Sequence, residues 1–259
     1  MLNFAIQTAR EAGAVLIDRL GRALQVSNKG TIDLVTEADI ASEKLIIERI
    51  KSHYPRHAIL AEESGATEGV EFVPGSSEWR WIIDPLDGTT NYAHGYPCFC
   101  VSIALARGGA IEVAAIYDPT RDEMFAAERG QGAMLNGRRI RVSKVEDLNA
   151  AMLCTGFPYN VRERPNFARE FTNFTMAAQA VRRDGSAALD LAYLACGRFD
   201  GFWEDGLKAW DVAAGMLLVE EAGGKVTDFT NNPLDIYTPK VLASNGLIHE
   251  DMMRVLATN

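Results

Sequence analysis

Asp84 and Asp87 stand three residues apart in WIIDPLDGTT (residues 81–90), directly after an apolar run. Two carboxylates this close repel each other by about 4 kcal/mol at ~4 Å and an effective dielectric near 20. A divalent cation relieves that repulsion. Magnesium takes oxygen ligands in near-octahedral geometry, commonly one or two carboxylates with waters and a substrate phosphate. A lone Asp-x-x-Asp more often marks a solvated turn, but three features here point to a site. The acids end a run that should be buried, where ligand sites often lie. Pro85 restricts the backbone and Gly88 frees it, which suits a tight turn. Gly88, Thr89 and Thr90 add N–H and hydroxyl donors that would face an anion if a helix begins there.

Two more acids stand in comparable settings. Glu62 ends the apolar part of HAILAEES (57–64), and Asp211 opens the helical pattern WDVAAGMLLVEEAGG (210–224). The structural alternative for Asp211 is a capping or first-turn acid favoured by the helix dipole.

The elements that must position these acids follow from periodicity. Ile6, Ala9, Gly13, Leu16 and Leu20 predict an amphipathic helix over 3–20, and Ile46, Ile47 and Ile50 a second over 39–53. HAILAEES and WRWIID (79–84) predict buried strands, with a polar loop between them at 65–78. Residues 98–143 predict a meander of strands, with turns at Gly108-Gly109, Asp118-Pro119 and Asn136-Gly137. The polar stretch SKVEDLNA (143–150) divides the chain into halves, 1–145 and 146–259, of one compact unit. The second half predicts a strand at 151–155, helices at about 164–180 and 187–196, and an extended 199–204. Its last helix is closed by Gly223 and Gly224. Helices alternating with strands indicate an α/β (α+β) protein with helices layered on sheets.

Bulk composition narrows the function. The 259 residues are 47% apolar and 24% charged, as in ordinary globular chains. Cys98, Cys100, Cys154 and Cys196 lack zinc or disulfide spacing, so all four are expected to be reduced and mostly buried. No signal peptide and no apolar run of membrane-spanning length is seen, so the expected location is the cytoplasm, with no membrane partner. The net charge of -9 disfavours direct nucleic-acid binding, and an anionic substrate would need local cations.

DPLDGTTNY (84–92) and WDVAAGMLLVEEAGG resemble the two signature motifs of the inositol monophosphatase family. DLVTEAD (33–39), AEES (61–64) and RRDGSAALDLAY (182–193) match the family pattern in the same order, across nearly the whole chain. The likeness is nearest to the bacterial branch. Tyr92 stands where phenylalanine is commoner, and the ring is kept.

The resemblance implies a layered αβαβα sandwich and a magnesium-dependent, lithium-sensitive phosphomonoesterase. Position by position, Glu62, Asp84 and the Leu86 carbonyl would hold one Mg2+. Asp84 would bridge to a second, completed by Asp87 and Asp211, and Glu62 could face a third. Thr89, oriented through Asp39, would position the attacking water, with Glu63 behind. Asp87, Gly88, Thr89 and Asp211 would face the phosphate. Gly185, Ser186, Ala187 and Glu204 match positions facing a sugar or inositol ring. Li+ and Ca2+ would inhibit, and the chain would be a homodimer. Bacterial relatives also imply a possible partner in the transcription machinery.

Four carboxylates and two divalent cations sum to a near-neutral site before substrate arrives. Paired metals acidify water and clamp phosphoryl oxygens, so direct in-line attack by water is expected, without a covalent intermediate. In a haloacid-type phosphatase the first aspartate would instead attack phosphorus. Myo-inositol 1-phosphate is the leading substrate. Fructose 1,6-bisphosphate, 3′-phosphoadenosine nucleotides and histidinol phosphate are the alternatives.

Lys29 reads equally as a solvated loop residue or as a cation reaching the phosphate. Arg182 and Arg183 read as contacts to a second phosphate or a second subunit, or as solvated. His94 reads as an exposed loop residue, and His53, His57 and His249 lack ligand spacing. RGQGAMLNG (129–137) reads as turns rather than a nucleotide loop. The tryptophans at 79, 81, 203 and 210 read as core or site walls.

Overall fold

On the strand Trp79–Asp87, Trp81 and Ile83 enter one apolar cluster and Ile82 enters another, so both faces of the strand are covered. A sheet buried on both faces needs a layer of helices on each side. The computed structural model describes residues 1–21, 26–28, 34–66, 78–157, 166–238 and 240–258.

In chain order the first half contains α1 (Leu2–Arg19), β1 (Val26–Asn28), β2 (Leu34–Thr36), α2 (Glu37–His53), β3 (Ala58–Ala61), β4 (Gly65–Ala66) and β5 (Trp79–Asp87). It continues with α3 (Thr89–Ala93), β6 (Cys100–Arg107), β7 (Ala110–Asp118), β8 (Glu123–Glu128), β9 (Gly132–Leu135) and β10 (Arg138–Arg139). The second half contains β11 (Met152–Thr155), α4 (Asn166–Ala177), β12 (Ala180–Arg182), α5 (Ala187–Ala195) and β13 (Gly201–Asp205). It ends with α6 (Ala209–Glu221), β14 (Lys225–Thr227), β15 (Lys240–Ser244) and α7 (His249–Leu256).

Eight strands form one sheet in the order β10-β9-β8-β7-β6-β5-β3-β4, and five form a second in the order β12-β11-β13-β15-β14. In the first sheet β3 and β5 are parallel, and the meander β5 to β10 is antiparallel. Asn136 and Gly137 close the β9–β10 hairpin with φ of 49° and 75°, as a type I′ turn requires.

The apolar clusters show five layers. Helices α1 and α2 bring Ala9, Leu16, Ile46 and Ile50 against Trp81, Ile83, Ile103 and Leu105 of the first sheet. The other face of that sheet, with Ile82, Ala104 and Phe125, packs on Leu191, Val212 and Leu217 of α5 and α6. Those two helices also meet Phe202 and Val241 of the second sheet. Beyond it Leu153, Trp203 and Leu242 pack on Phe174 of α4 and Met252 of α7. The order is αβαβα. Each fully buried Phe or Leu contributes about 1.5–3 kcal/mol, so the middle helices are held from both sides.

Three local differences from the sequence reading have physical causes. Helix α2 starts at Glu37 rather than 39, because the Thr36 hydroxyl accepts from the Ala38 N–H while Asp39 reaches back to the Thr36 N–H. Helix α4 ends at Ala177 rather than 180, because Ala180–Arg182 joins the second sheet beside β11. The buried stripe of α1 is Ala5, Ala9, Ala12 and Leu16, with Ile6 and Leu20 only partly covered. All four cysteines are free, with three buried and Cys196 half-buried. Among the described residues no helix is long and apolar enough to cross a membrane.

Candidate active site

Residues three apart on a regular strand point to opposite faces. Asp84 and Asp87 escape this rule through a β-bulge. Asp84 pairs with Ser102 and Asp87 with Cys100, so three residues of β5 oppose two of β6. The extra residue turns both carboxylates to one side. Pro85, which has no N–H to offer the ladder, occupies the bulge, and its carbonyl accepts from Ser42 Oγ at 2.9 Å. Gly88 then leaves the strand at φ 94°, where a Cβ would stand 2.8 Å from the Cys98 carbonyl oxygen. Only glycine fits that turn into α3.

The two aspartates meet Asp211 from the first turn of α6. One carboxylate oxygen from each of Asp84, Asp87 and Asp211 lies within 4.8 Å of the others. Asp211 Oδ2 also accepts the Lys208 N–H at 2.7 Å. The capping job and the cluster, read from sequence as alternatives, are thus done by one side chain. Glu62, one residue past β3, lines the same cavity of about 310 Å³, and its side chain hydrogen-bonds Asp84.

Burial, reinforced by Glu62, Asp87 and Asp211, pushes the Asp84 carboxyl well above the usual carboxylate range. Burial and the nearby Asp87 do the same to Asp211. Asp87 is raised by burial, against the donors that hold it. These are Ser186 Oγ at 2.6 Å and the Ala188 N–H at 2.7 Å, both acting on Oδ2. An all-oxygen set of mutually repelling acids fits a hard divalent cation, which replaces the protons they would otherwise retain. The structure therefore fits a metal centre on chemistry as well as on proximity.

Beside the acids, Thr89 Oγ1 contacts both Asp39 Oδ1 and the Leu86 carbonyl at 3.1 Å. Asp39 is fully buried, and its other oxygen is fixed by the Thr36 cap. Burial raises its pKa, partly offset by the hydrogen bonds from Thr36 and Thr89. Glu63 does not line the cavity. Its N–H donates to Glu43 Oε2 at 2.8 Å, and the Ser64 N–H donates to Glu43 Oε1 at 2.9 Å. Buried Glu43 on α2 thereby fixes the turn carrying Glu62, a role the sequence reading missed.

The same cavity is also lined by Glu204, Gly185, Ser186, Ala187 and Arg183. Glu204 on β13 is 7% exposed, and burial with Asp211 and Asp87 nearby pushes its carboxyl up to about 8. A Cβ on Gly156 would overlap that carboxylate, so a larger residue there would displace the Glu204 side chain. Ser186 borders the cavity, yet its hydroxyl is engaged with Asp87. Of the two arginines, Arg183 lies at the cavity, its guanidinium 5.2 Å from the Phe157 ring centre. Arg182 is exposed on edge strand β12 and does not line the cavity. His94 is also exposed. Lys29 lies outside the described residues. Asp190 on α5 lines the cavity too and was not singled out from sequence. A lone acid inside the apolar run AALDLAYLA was the available signal.

The chain was compared with known proteins. The model of the inositol monophosphatase family matches residues 1–258. An inositol-1-monophosphatase from Synechocystis sp. is 46% identical over 258 residues, covering 99% of this chain and 88% of the relative. The Nus factor SuhB of Escherichia coli K12 is 46% identical, covering 98% and 94%. The crystal structure of extragenic suppressor protein suhB from Bartonella henselae superposes with a TM-score of 0.93 at 43% identity, covering 99% and 98%.

Proposed function

Since the chain belongs to the inositol monophosphatase family and is a phosphoric monoester hydrolase, we propose that it hydrolyses small polyol phosphates, with myo-inositol 1-phosphate as leading substrate. The observation that carries this reading is one cavity holding two unlike walls. The Asp84, Asp87 and Asp211 cluster suits cations and phosphate, and Glu204 faces the space left for the alcohol. The relative named for this activity supports the choice of inositol.

In this reading Glu62, Asp84, the Leu86 carbonyl, Asp87 and Asp211 hold two or three Mg2+. When bound, such ions polarise the phosphoryl group and lower the pKa of water. Thr89 donates its hydroxyl proton to Asp39, which leaves its lone pairs to take a hydrogen bond from the incoming water. Asp39 keeps that orientation because Thr36 fixes its other oxygen. The Gly88 and Thr89 N–H groups serve the equatorial phosphoryl oxygens. Glu63 has no direct part, and it contributes through the turn that carries Glu62.

A rate survey tests this reading. Myo-inositol 1-phosphate, fructose 1,6-bisphosphate, a 3′-phosphoadenosine nucleotide and histidinol phosphate are compared with Mg2+ and with chelator. Inositol phosphate should lead, with no phospho-enzyme burst in rapid quench and with inhibition by millimolar lithium. Absence of Mg2+-dependent turnover on all four esters would sink the reading. The 46% identity to a Nus factor over 98% of the chain supports a second role, as a partner of the transcription machinery. Capture of that machinery by the Asp87→Asn variant would separate this role from catalysis.

A further inference from the structure

Helix α2 buries one face, formed by Asp39, Ser42, Glu43, Ile46 and Ile50. The spacing is that of a single helical stripe. Its last two members are apolar and pack on Trp81 and Ile83 of the first sheet. Its first three are polar, with Asp39 and Ser42 at 0% exposure and Glu43 at 4%. Apolar residues at these positions would simply extend the stripe. Burying a hydroxyl or a carboxylate is unfavourable unless it is hydrogen-bonded, so the partners explain the choice.

Those partners lie outside the helix, each on a different segment of the site. A helical serine can donate to the carbonyl four residues back. Ser42 Oγ instead donates to the Pro85 carbonyl at 2.9 Å, inside the bulge that turns Asp84 and Asp87 to one side. Glu43 accepts with both oxygens, from the Glu63 N–H at 2.8 Å and the Ser64 N–H at 2.9 Å, directly after Glu62. Asp39 Oδ1 accepts from Thr89 Oγ1 at 3.1 Å. From residue 39 to residue 43 the helix rises only about 6 Å. Three segments of the site therefore converge on little more than one turn of one rigid element.

The sheet does not reach this far. The last paired positions of β3 and β5 are Ala61 and Ile83, and the Glu62 N–H donates to the Ile83 carbonyl at 3.2 Å. Glu62 and Asp84 stand one residue beyond that pair. Hydrogen bonds to a charged acceptor are the stronger kind, and two of them on successive N–H groups fix both the position and the tilt of the turn that carries Glu62.

We propose that Ser42 and Glu43 are positioning residues. With Asp39 they make this face of α2 the template that sets the distance from the Glu62 carboxylate to the Asp84–Asp87 pair, and thereby the affinity of the site for a divalent cation. The inference rests on the metal-centre reading of the acidic cluster.

The test is calorimetric titration of the metal-free full chain with Mg2+ alone. Glu43→Gln keeps the shape of the side chain but turns an amide donor toward one of the two N–H groups. It should weaken Mg2+ binding about 10- to 100-fold, the usual effect of removing a group that orients a metal ligand. Ser42→Ala, which frees the Pro85 carbonyl, should weaken it about threefold. Ile46→Val, on the apolar part of the stripe, is the control. It should lower the metal-free Tm by a few degrees and leave Mg2+ affinity within about twofold of wild type. An equal weakening in Ile46→Val overturns the proposal, because general softening of the helix would then account for the effect. Should Glu43→Gln fail to fold, Ser42→Ala decides alone. A wild-type chain that binds Mg2+ no more tightly than Glu43→Gln or, in that case, Ser42→Ala overturns the proposal only. A wild-type chain that binds no Mg2+ overturns the metal-centre reading with it.

Discussion

At one end of the cavity the carboxylates are gripped: Asp87 by Ser186 and the Ala188 N–H, Asp84 by the Leu86 N–H at 3.0 Å, and Asp211 by the Lys208 N–H. Elsewhere in the same lining Glu204 takes a backbone hydrogen bond from Gly156, and the sealed carboxyl of Asp190 has no hydrogen-bond donor among the described residues. All are buried acids, but the donors differ. Gripped acids are held in place against their mutual repulsion, so a cation that replaces their protons finds them positioned. Asp190, without such a donor, is pushed well above the usual carboxylate range by burial and by the acids around it. The fold thus sets buried acids apart by how many donors it points at each.

The largest expected effect is at the gripped end. Asp84→Asn should lower kcat/KM with Mg2+ by roughly 10⁴-fold. It should also raise the metal-free Tm, because a buried acid that must either hold a proton or repel its neighbours is gone. Calorimetry showing a lower Tm, with activity retained, would erase the distinction between the two ends.

The ungripped end should reveal itself through pH. Glu204 in the folded protein is raised to about 8, while the unfolded chain titrates near 4.5. Between these values the folded state binds more protons, so the metal-free protein should lose stability as pH rises from 4.5 to 8. The full Glu204 contribution, present below pH 4.5, is on the order of 4 kcal/mol. Urea titrations of wild type and Glu204→Gln across that window isolate it, and parallel curves would refute it.

Thr89→Ala should reduce kcat about 10²-fold with little change in KM, and Thr89→Ser should restore most of it. An equal loss in the serine variant would assign the effect to packing of the Thr89 methyl group. The smallest effect is Ser186→Ala, which removes one of the donors to Asp87 and should raise the Mg2+ concentration for half-maximal rate about tenfold. A change instead in polyol selectivity would move Ser186 to the other end of the comparison.

Much of the gripped end was readable from the chain. Asp84, Asp87 and Asp211 announce themselves because acids placed against apolar runs need an explanation, whereas the Thr36 cap that moves the start of α2 to Glu37 was missed. The bulge was only hinted at by Pro85, since a bulge is defined by the partner strand and not by its own residues. Glu43 was hidden because SEKLIIER reads as the solvated face of an amphipathic helix, and only the returning Glu63–Ser64 turn buries it. Arg182 and Arg183 could not be told apart until β12 ended at Arg182 and the chain turned at Arg183 to the rim of the cavity. Alternating apolar runs showed only that helices layer on sheets, the αβαβα order came with the family resemblance, and the true stripe of α1 depended on which turns of the helix meet the first sheet.

The Ala188 N–H that grips Asp87 lies 101 residues downstream of it. A growing polypeptide therefore displays its paired aspartates long before the helix that restrains them has been synthesised. Until then the pair is merely a loosely held, self-repelling bend at the end of an incomplete sheet. Competence for ion capture should appear late and abruptly during synthesis, once the middle helices have docked, and stalled nascent chains ending before α5 should lack it.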